Sequence, residues 1–239
     1  MKPARKRSKG EPVVAPSQGA RDQSPGVWDL LSPFASAERG EKLLAVLAQR
    51  TDRLLLVLHD LYDPHNLSAI LRTAEAFGLQ HVVLSGFSPE GLNPQVALGA
   101  ERWLAVRKAE DPGTLLDELR SESFTVAASV LCEAAVSLEE YEPHGKVALV
   151  LGNEHEGLGE PWLSGSDVHL TIPLQGFAGS LNVSVAAGIF IAGLLHKPAL
   201  APRGLPPEEA EALKDLWMRQ SVAHSQRILK ELRERKKKG

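Results

Sequence analysis

The sequence predicts an α/β protein built around a mostly parallel sheet. Short apolar runs recur along the chain, as at Leu54–Leu58, Phe124–Ser129 and Val147–Leu151. Between them lie longer stretches with apolar residues at helical spacing, such as Ala37–Gln49 and Pro112–Ser121. No repeat of solenoid period interrupts the alternation. Strands alternating with helices are the pattern of parallel βαβ units.

Each element has a local reason. Residues 1–35 are rich in Pro, Gly, Ser and charge and read as a disordered basic and polar tail, with Trp28, Leu30, Leu31 and Phe34 as anchors at its end. Ala37–Gln49 carries Leu43, Leu44, Val46 and Leu47 in an amphipathic helix. Leu54–Leu58 is a continuous apolar run, as in a strand buried on both faces. Ser68–Phe77 reads as a helix closed by Gly78. His81–Leu84 is a second strand, Pro94–Leu98 a short helix and Trp103–Val106 a third strand. Pro112 suits the first turn of a helix running to Ser121. Phe124–Ser129, Val147–Leu151 and Val168–Ile172 are further strands, and Asn182–His196 is an apolar helix. After Pro198 and Pro202, Pro206–Lys236 is a long polar helix or a helix pair. The division expected is a tail (1–35), a core domain (36–198) and a basic helical extension (199–239).

Composition narrows the class. The 239 residues are 43% hydrophobic and 24% charged, ordinary for a globular protein. A single cysteine, Cys132, excludes an internal disulfide and a multi-cysteine zinc site, and fits a cytoplasmic protein. The longest apolar stretch, Val183–Leu195, is 13 residues long, where a bilayer needs about 20, so no membrane partner is expected. No apolar run follows the basic N-terminus, so it is not a secretory signal. Net charge is −3, yet residues 1–10 and 227–239 each carry +5, leaving −13 on residues 11–226. Basic ends on an acidic body are suited to gripping phosphates.

Several chemistries are absent. No GxGxxG follows a strand and no GxxxxGK[ST] occurs. His155-Glu156 begins like HExxH, but Gly159 ends the match, and no metal is expected. Ser180 lies outside any GxSxG elbow.

In open α/β sheets ligands bind past the carboxyl ends of the strands, which points to the loops after Leu58, Leu151 and Ile172. The first loop opens Asp63-Pro64-His65-Asn66-Leu67-Ser68-Ala69-Ile70-Leu71-Arg72, where Asn66 or Ser68 can cap the helix. Arg72, six residues after Asn66, is expected to face the same side. The second is Leu151-Gly152-Asn153-Glu154-His155-Glu156-Gly157-Leu158-Gly159, a glycine-bounded acidic turn that lets backbone approach a ligand. The third runs Ile172-Pro173-Leu174-Gln175-Gly176-Phe177-Ala178-Gly179-Ser180-Leu181-Asn182 into the apolar helix.

Together, in this order, the three segments resemble the motifs of the SpoU/TrmH family of RNA ribose 2′-O-methyltransferases, in the SPOUT superfamily. The resemblance covers roughly residues 38–197. The run from Pro64 to Ile70 looks most like the branch that methylates guanosine 18 of the tRNA D-loop. It implies an α/β fold tied in a deep trefoil knot, S-adenosyl-L-methionine as cofactor, tRNA as partner and a homodimer. It implies catalytic roles for Asn66, Arg72, Glu154, Ser180 and Asn182. Leu151, Gly152, Asn153, Ile172, Leu174, Leu181 and Asn182 are the implied cofactor contacts. Because both flanking helices help hold tRNA in that branch, Arg39, Arg227 and Lys230 are the implied RNA contacts, with Arg72.

Three other readings compete. One is methylation of ribosomal RNA, whose enzymes often carry an N-terminal RNA-binding domain that residues 1–35 are too polar to form. Another is a catalytically silent RNA-binding relative, which would not need all five catalytic side chains. The last is a small-molecule or protein methyltransferase, against which the basic ends argue.

Overall fold

The structure, a computed structural model, describes residues 26–61, 63–86, 99, 102–153 and 155–236. The short helix expected at Pro94–Leu98 lies outside the described residues.

Among the described residues, seven strands form one sheet: β1 (Leu54–His59), β2 (His81–Ser85), β3 (Ala105–Ala109), β4 (Phe124–Ser129), β5 (Val136–Ser137), β6 (Lys146–Leu151) and β7 (Val168–Thr171). Their order is β3-β2-β1-β6-β4-β7-β5, and every pairing is parallel. All carboxyl ends therefore lie along one edge. The central strands are apolar because both faces are covered. Leu54, Leu56 and Leu58 of β1 face one apolar cluster, Leu55 and Val57 the other.

The first cluster is closed by α3 (Pro64–Ala76) and α6 (Val183–Leu195), through Ile70, Leu71, Phe190 and Ile191. The second is closed by α4 (Pro112–Ser121) and α5 (Trp162–Gly165), through Leu115, Leu119 and Trp162. Each fully buried Leu or Phe contributes about 1.5–3 kcal/mol.

A third cluster joins the two ends of the chain. It brings together α1 (Val27–Leu31), α2 (Ala37–Ala48), α7 (Pro207–Ser221) and α8 (Ser225–Lys236) around Leu31, Leu43, Trp217 and Met218. The amides of Val27 and Trp28 donate to the Asp215 carboxylate at 3.1 and 2.8 Å, so α7 caps α1. Trp103 meets Trp217 edge-on at 5.7 Å. The Arg39 guanidinium stacks on Trp103 and that of Arg50 on Trp217, each at 5.2 Å. Arg50 is fully buried. Its Nη1 donates to the carbonyls of Glu75 and Leu79 and its Nη2 pairs with the Glu75 carboxylate at 2.8 Å. One side chain thus satisfies the end of α3 and receives α7. Burial holds its pKa below the usual arginine value, opposed by Glu75.

Two boundaries depart clearly from expectation. α3 starts at Pro64 rather than Ser68, because the Asp63 carboxylate accepts from the His65 amide at 2.8 Å and caps the helix there. Asn66 and Ser68 therefore lie inside the helix, and the cap is Asp63. β3 is displaced to Ala105–Ala109, in register with His81–Ser85. The polar C-terminal segment takes the second of its two expected forms, a helix pair, broken at Val222–His224, where His224 has φ +56°.

Candidate active site

A cavity of about 750 Å³ lies at the carboxyl edge of the sheet, beyond β4, β6 and β7. Leu151, Gly152 and Asn153 form one wall. Ile172, Leu174, Ser180 and Leu181 form another.

The first wall depends on two glycines. A Cβ on Gly152 would stand 2.2 Å from the Gly157 carbonyl oxygen, so only glycine lets the turn fold back this far. Gly157, at φ +69°, bonds through its amide to the Asn153 carbonyl at 3.2 Å. The Asn153 side-chain oxygen accepts from the amides of His155 and Glu156, at 2.8 and 2.7 Å. Asn153 borders the cavity while its side chain holds the turn. Glu154 lies outside the described residues.

The second wall ends at α6. Asn182 is the cap: its Oδ1 accepts from the Ser184 amide at 2.8 Å and from the Ser184 hydroxyl at 2.6 Å. Its Nδ2 donates to Asn66 Oδ1 at 3.1 Å. Asn182 thus binds the third segment to the first and is not among the residues lining the cavity. Asn66, 9% exposed, sits in the first turn of α3.

Arg72 is exposed and has no hydrogen-bond or ion-pair partner among the described residues. It does not share the side of Asn66. Six residues at 3.6 per turn place two side chains about 120° apart around a helix. Asn66 therefore turns to α6 while Arg72 turns outward.

The expected RNA contacts are divided. Arg39 stacks on Trp103 and donates to Ser221 Oγ at 3.2 Å. Arg227 pairs with Glu231 at 2.9 Å. Lys230 is exposed on α8.

Sequence reasoning missed the Ser129–Cys132 segment, which also lines the cavity, together with His155, Glu156 and His169. The rule about strand carboxyl ends covers Ser129 as well as Leu151, so that signal was present. His169 Nε2 lies 3.0 Å from the Leu163 carbonyl.

A second polar group lies at the ends of β1 and β2. His59 Nδ1 is 3.4 Å from Ser85 Oγ, its Nε2 is 3.4 Å from the Asp60 carboxylate, and its ring meets Trp162 at 5.7 Å. Burial pulls the His59 pKa below the usual histidine value, opposed by Asp60.

Among the described residues, no three His, Cys, Asp or Glu side chains are grouped to hold a metal ion. Nor is any helix long and apolar enough to cross a membrane.

A parallel sheet with a glycine-shaped cavity at its carboxyl edge is the arrangement in which open α/β proteins bind small molecules. The sequence pattern of the SpoU rRNA Methylase family matches residues 53–192, more than half of the chain, and the chain belongs to that methyltransferase family. A tRNA (guanosine(18)-2′-O)-methyltransferase of Borreliella burgdorferi is 34% identical over 169 residues, 70% of this chain and 78% of that protein. The crystal structure of the A. aeolicus TrmH/SpoU tRNA modifying enzyme is similar, with a TM-score of 0.68 at 28% identity, over 78% of this chain and 98% of the other. An AdoMet-bound rRNA methyltransferase from Sinorhizobium meliloti aligns with a TM-score of 0.55 at 26% identity, over 62% of this chain and 57% of that one.

Proposed function

We propose that the chain transfers a methyl group from S-adenosylmethionine to a ribose 2′-oxygen of tRNA, at guanosine 18 of the D-loop, as a cytoplasmic homodimer with the family's knotted core. One observation carries the reading: the second and third motifs wall a single cavity, and Asn182 ties the first motif to it.

The residues fit the cofactor. A cavity of about 750 Å³ is of the size that takes a small organic ligand, typically about 300–1,000 Å³. Leu151, Ile172, Leu174 and Leu181 would give apolar surface to such a ligand, and Gly152, Asn153 and Ser180 polar backbone. When bound, S-adenosylmethionine supplies an electrophilic methyl group on a good leaving group. Everything else is positioning and charge. Asn182 and Asn66 fix the entrance of α3 against α6. Arg72, exposed and unpaired among the described residues, holds a phosphate and the 2′-oxygen and stabilises the negative charge that develops there. A guanidinium donates hydrogen bonds and does not act as a base, so the 2′-hydroxyl proton passes to water as the methyl arrives, and the donor leaves as a neutral thioether. Glu154 orients the ribose.

The second copy covers α6. This helix is apolar on every side, yet Val185 is 51% and Ile189 39% exposed, one turn apart. Such a stripe buries against another apolar face. Val185→Asp with Ile189→Asp yields monomers in sedimentation. An unshifted sedimentation coefficient overturns this interface.

The test is transfer of labelled methyl to unmodified tRNA transcripts, with the nucleotide mapped and Arg72→Ala in parallel. Labelling of the D-loop guanosine by the wild type, lost in Arg72→Ala, is the expected result. Ribosomal RNA fragments form a second arm, because the family's description names rRNA. Labelling there alone moves the target.

A further inference from the structure

Phe177 is 113% exposed, so nothing in the described chain covers its ring. The next most exposed large apolar side chain among the described residues, Leu131, is 64% exposed. A ring left wholly in water is apolar surface available to a partner.

The loop that carries the ring narrows the choice of partner. Phe177 lies between Leu174 and Gly179, which both line the cavity, so the ring stands beside its mouth. Residues 173–180 are all exposed. An added Cβ on Gly179 would meet nothing within 4 Å, and one on Gly176 would meet only the Ala178 amide nitrogen at 4.0 Å. Gln175, Gly176, Ala178 and Gly179 add no second large apolar side chain. Subunit interfaces bury contiguous apolar patches. A lone flat ring among small and polar neighbours suits one flat partner, and a nucleobase presents such a face.

The reaction brings a base to this place. The acceptor oxygen is on C2′ of the ribose, and the base is on C1′, the adjacent carbon. A ribose whose 2′-oxygen meets the methyl group at the cavity carries its base to the rim. Arg72 and Glu154 are assigned to phosphate and ribose, and neither holds the base.

We propose that the Phe177 ring stacks on the base of the nucleotide being methylated and so positions its ribose at the cavity. The proposal rests on the tRNA reading above. Stacking on an aromatic face tolerates any base, so Phe177 sets the position of the nucleotide and leaves the choice of base to other contacts.

The test is a double-mutant cycle on kcat/KM. It uses the full chain and a tRNA transcript whose target nucleotide keeps its ribose and lacks its base. Phe177→Ala loses roughly tenfold on the intact transcript, the equivalent of one stacked base. The wild type loses a similar factor on the abasic transcript. Phe177→Ala loses little more there, because the stack is already gone. Phe177→Trp retains most of the activity, while Phe177→Leu, apolar without a flat face, falls with alanine. S-adenosylmethionine affinity by calorimetry stays at the wild-type value in all three variants. Penalties that multiply to roughly a hundredfold show ring and base acting independently and overturn the proposal. Full activity in Phe177→Leu overturns it too. A loss of cofactor affinity in Phe177→Ala assigns the ring to the cofactor and overturns it. Phe177→Ala that sediments as a monomer beside a dimeric wild type assigns the ring to the second copy, and also overturns it. A wild type that binds S-adenosylmethionine but methylates no tRNA transcript sinks the substrate reading, and this proposal with it.

Discussion

Asn66 and Asn182 are 116 positions apart in sequence and are joined by a hydrogen bond of 3.1 Å between their amide groups. The bond connects the first turn of α3 to the cap of α6, so the two helices enter the site as a unit. Asn182 does two jobs with separate atoms: Oδ1 caps α6 and Nδ2 reaches Asn66.

The two jobs can be separated. Asn182→Ala loses both and costs about 1–2 kcal/mol of stability. Asn182→Asp keeps the capping oxygen and loses the donor. We expect near-wild-type unfolding in urea for Asn182→Asp, with methyl transfer reduced by about tenfold, the equivalent of one hydrogen bond of about 1.4 kcal/mol. Equal losses of stability in both variants would mean that the Nδ2–Asn66 bond alone matters and the cap contributes nothing.

Gly152 is sterically required. Adding a methyl group there sets it 2.2 Å from the Gly157 oxygen and 2.7 Å from the Leu158 nitrogen. Gly152→Ala must open the turn, at a cost of about 1–3 kcal/mol. Cofactor affinity measured by calorimetry falls with it. Gly159, with nothing within 4 Å of an added Cβ, tolerates alanine and serves as the control.

Breaking the Arg50–Glu75 pair leaves a buried cation or an empty slot under Trp217. Glu75→Gln keeps the shape and leaves the Arg50 charge without its counterion. The expected loss is on the order of 3 kcal/mol. Arg50→Met, which removes the charge and keeps an apolar stem, loses less. Chemical denaturation of both variants gives the order, and the reverse order would show that packing on Trp217 dominates.

Stability falls on the acid side partly because of His59. Its pKa is lowered in the native state, while the unfolded value is about 6.5. Between those two values the unfolded chain binds more protons, so stability rises with pH across that window and is lost as pH falls through it. Urea midpoints from pH 5 to 8 should decline more steeply toward acid in the wild type than in His59→Gln. Parallel curves would assign the acid loss to other groups.

Elements with a strong local signal were legible in the sequence. Phe124–Ser129 and Pro112–Ser121 appear with the bounds expected of them. The two-residue β5 was not legible, because Val136–Ser137 carries no periodicity and forms only by pairing with Leu170 and Thr171. In the site, Leu151, Gly152, Asn153, Ile172, Leu174, Ser180 and Leu181 border the cavity, as strand-end loops should. Asn66 and Arg72 diverge because the roughly 1.7 turns between them leave their side chains about 120° apart rather than on one side. The Asn66–Asn182 bond could not be read at all. Nothing local to either residue specifies the other, and only the packing of α3 on α6 brings them together.

The stack from Arg39 through Trp103 and Trp217 to Arg50 has a practical consequence. The segment matched by the family pattern, residues 53–192, stops short of Trp217 and begins after Arg50. Excised at those limits, it would bare the end of α3 and lose the cap on Glu75 and Leu79, along with the shielding of Trp103. Such a fragment should be recovered in inclusion bodies, while one running from residue 26 to 236 stays in solution. The family boundary marks shared ancestry, and the smallest self-sufficient piece of this chain is larger.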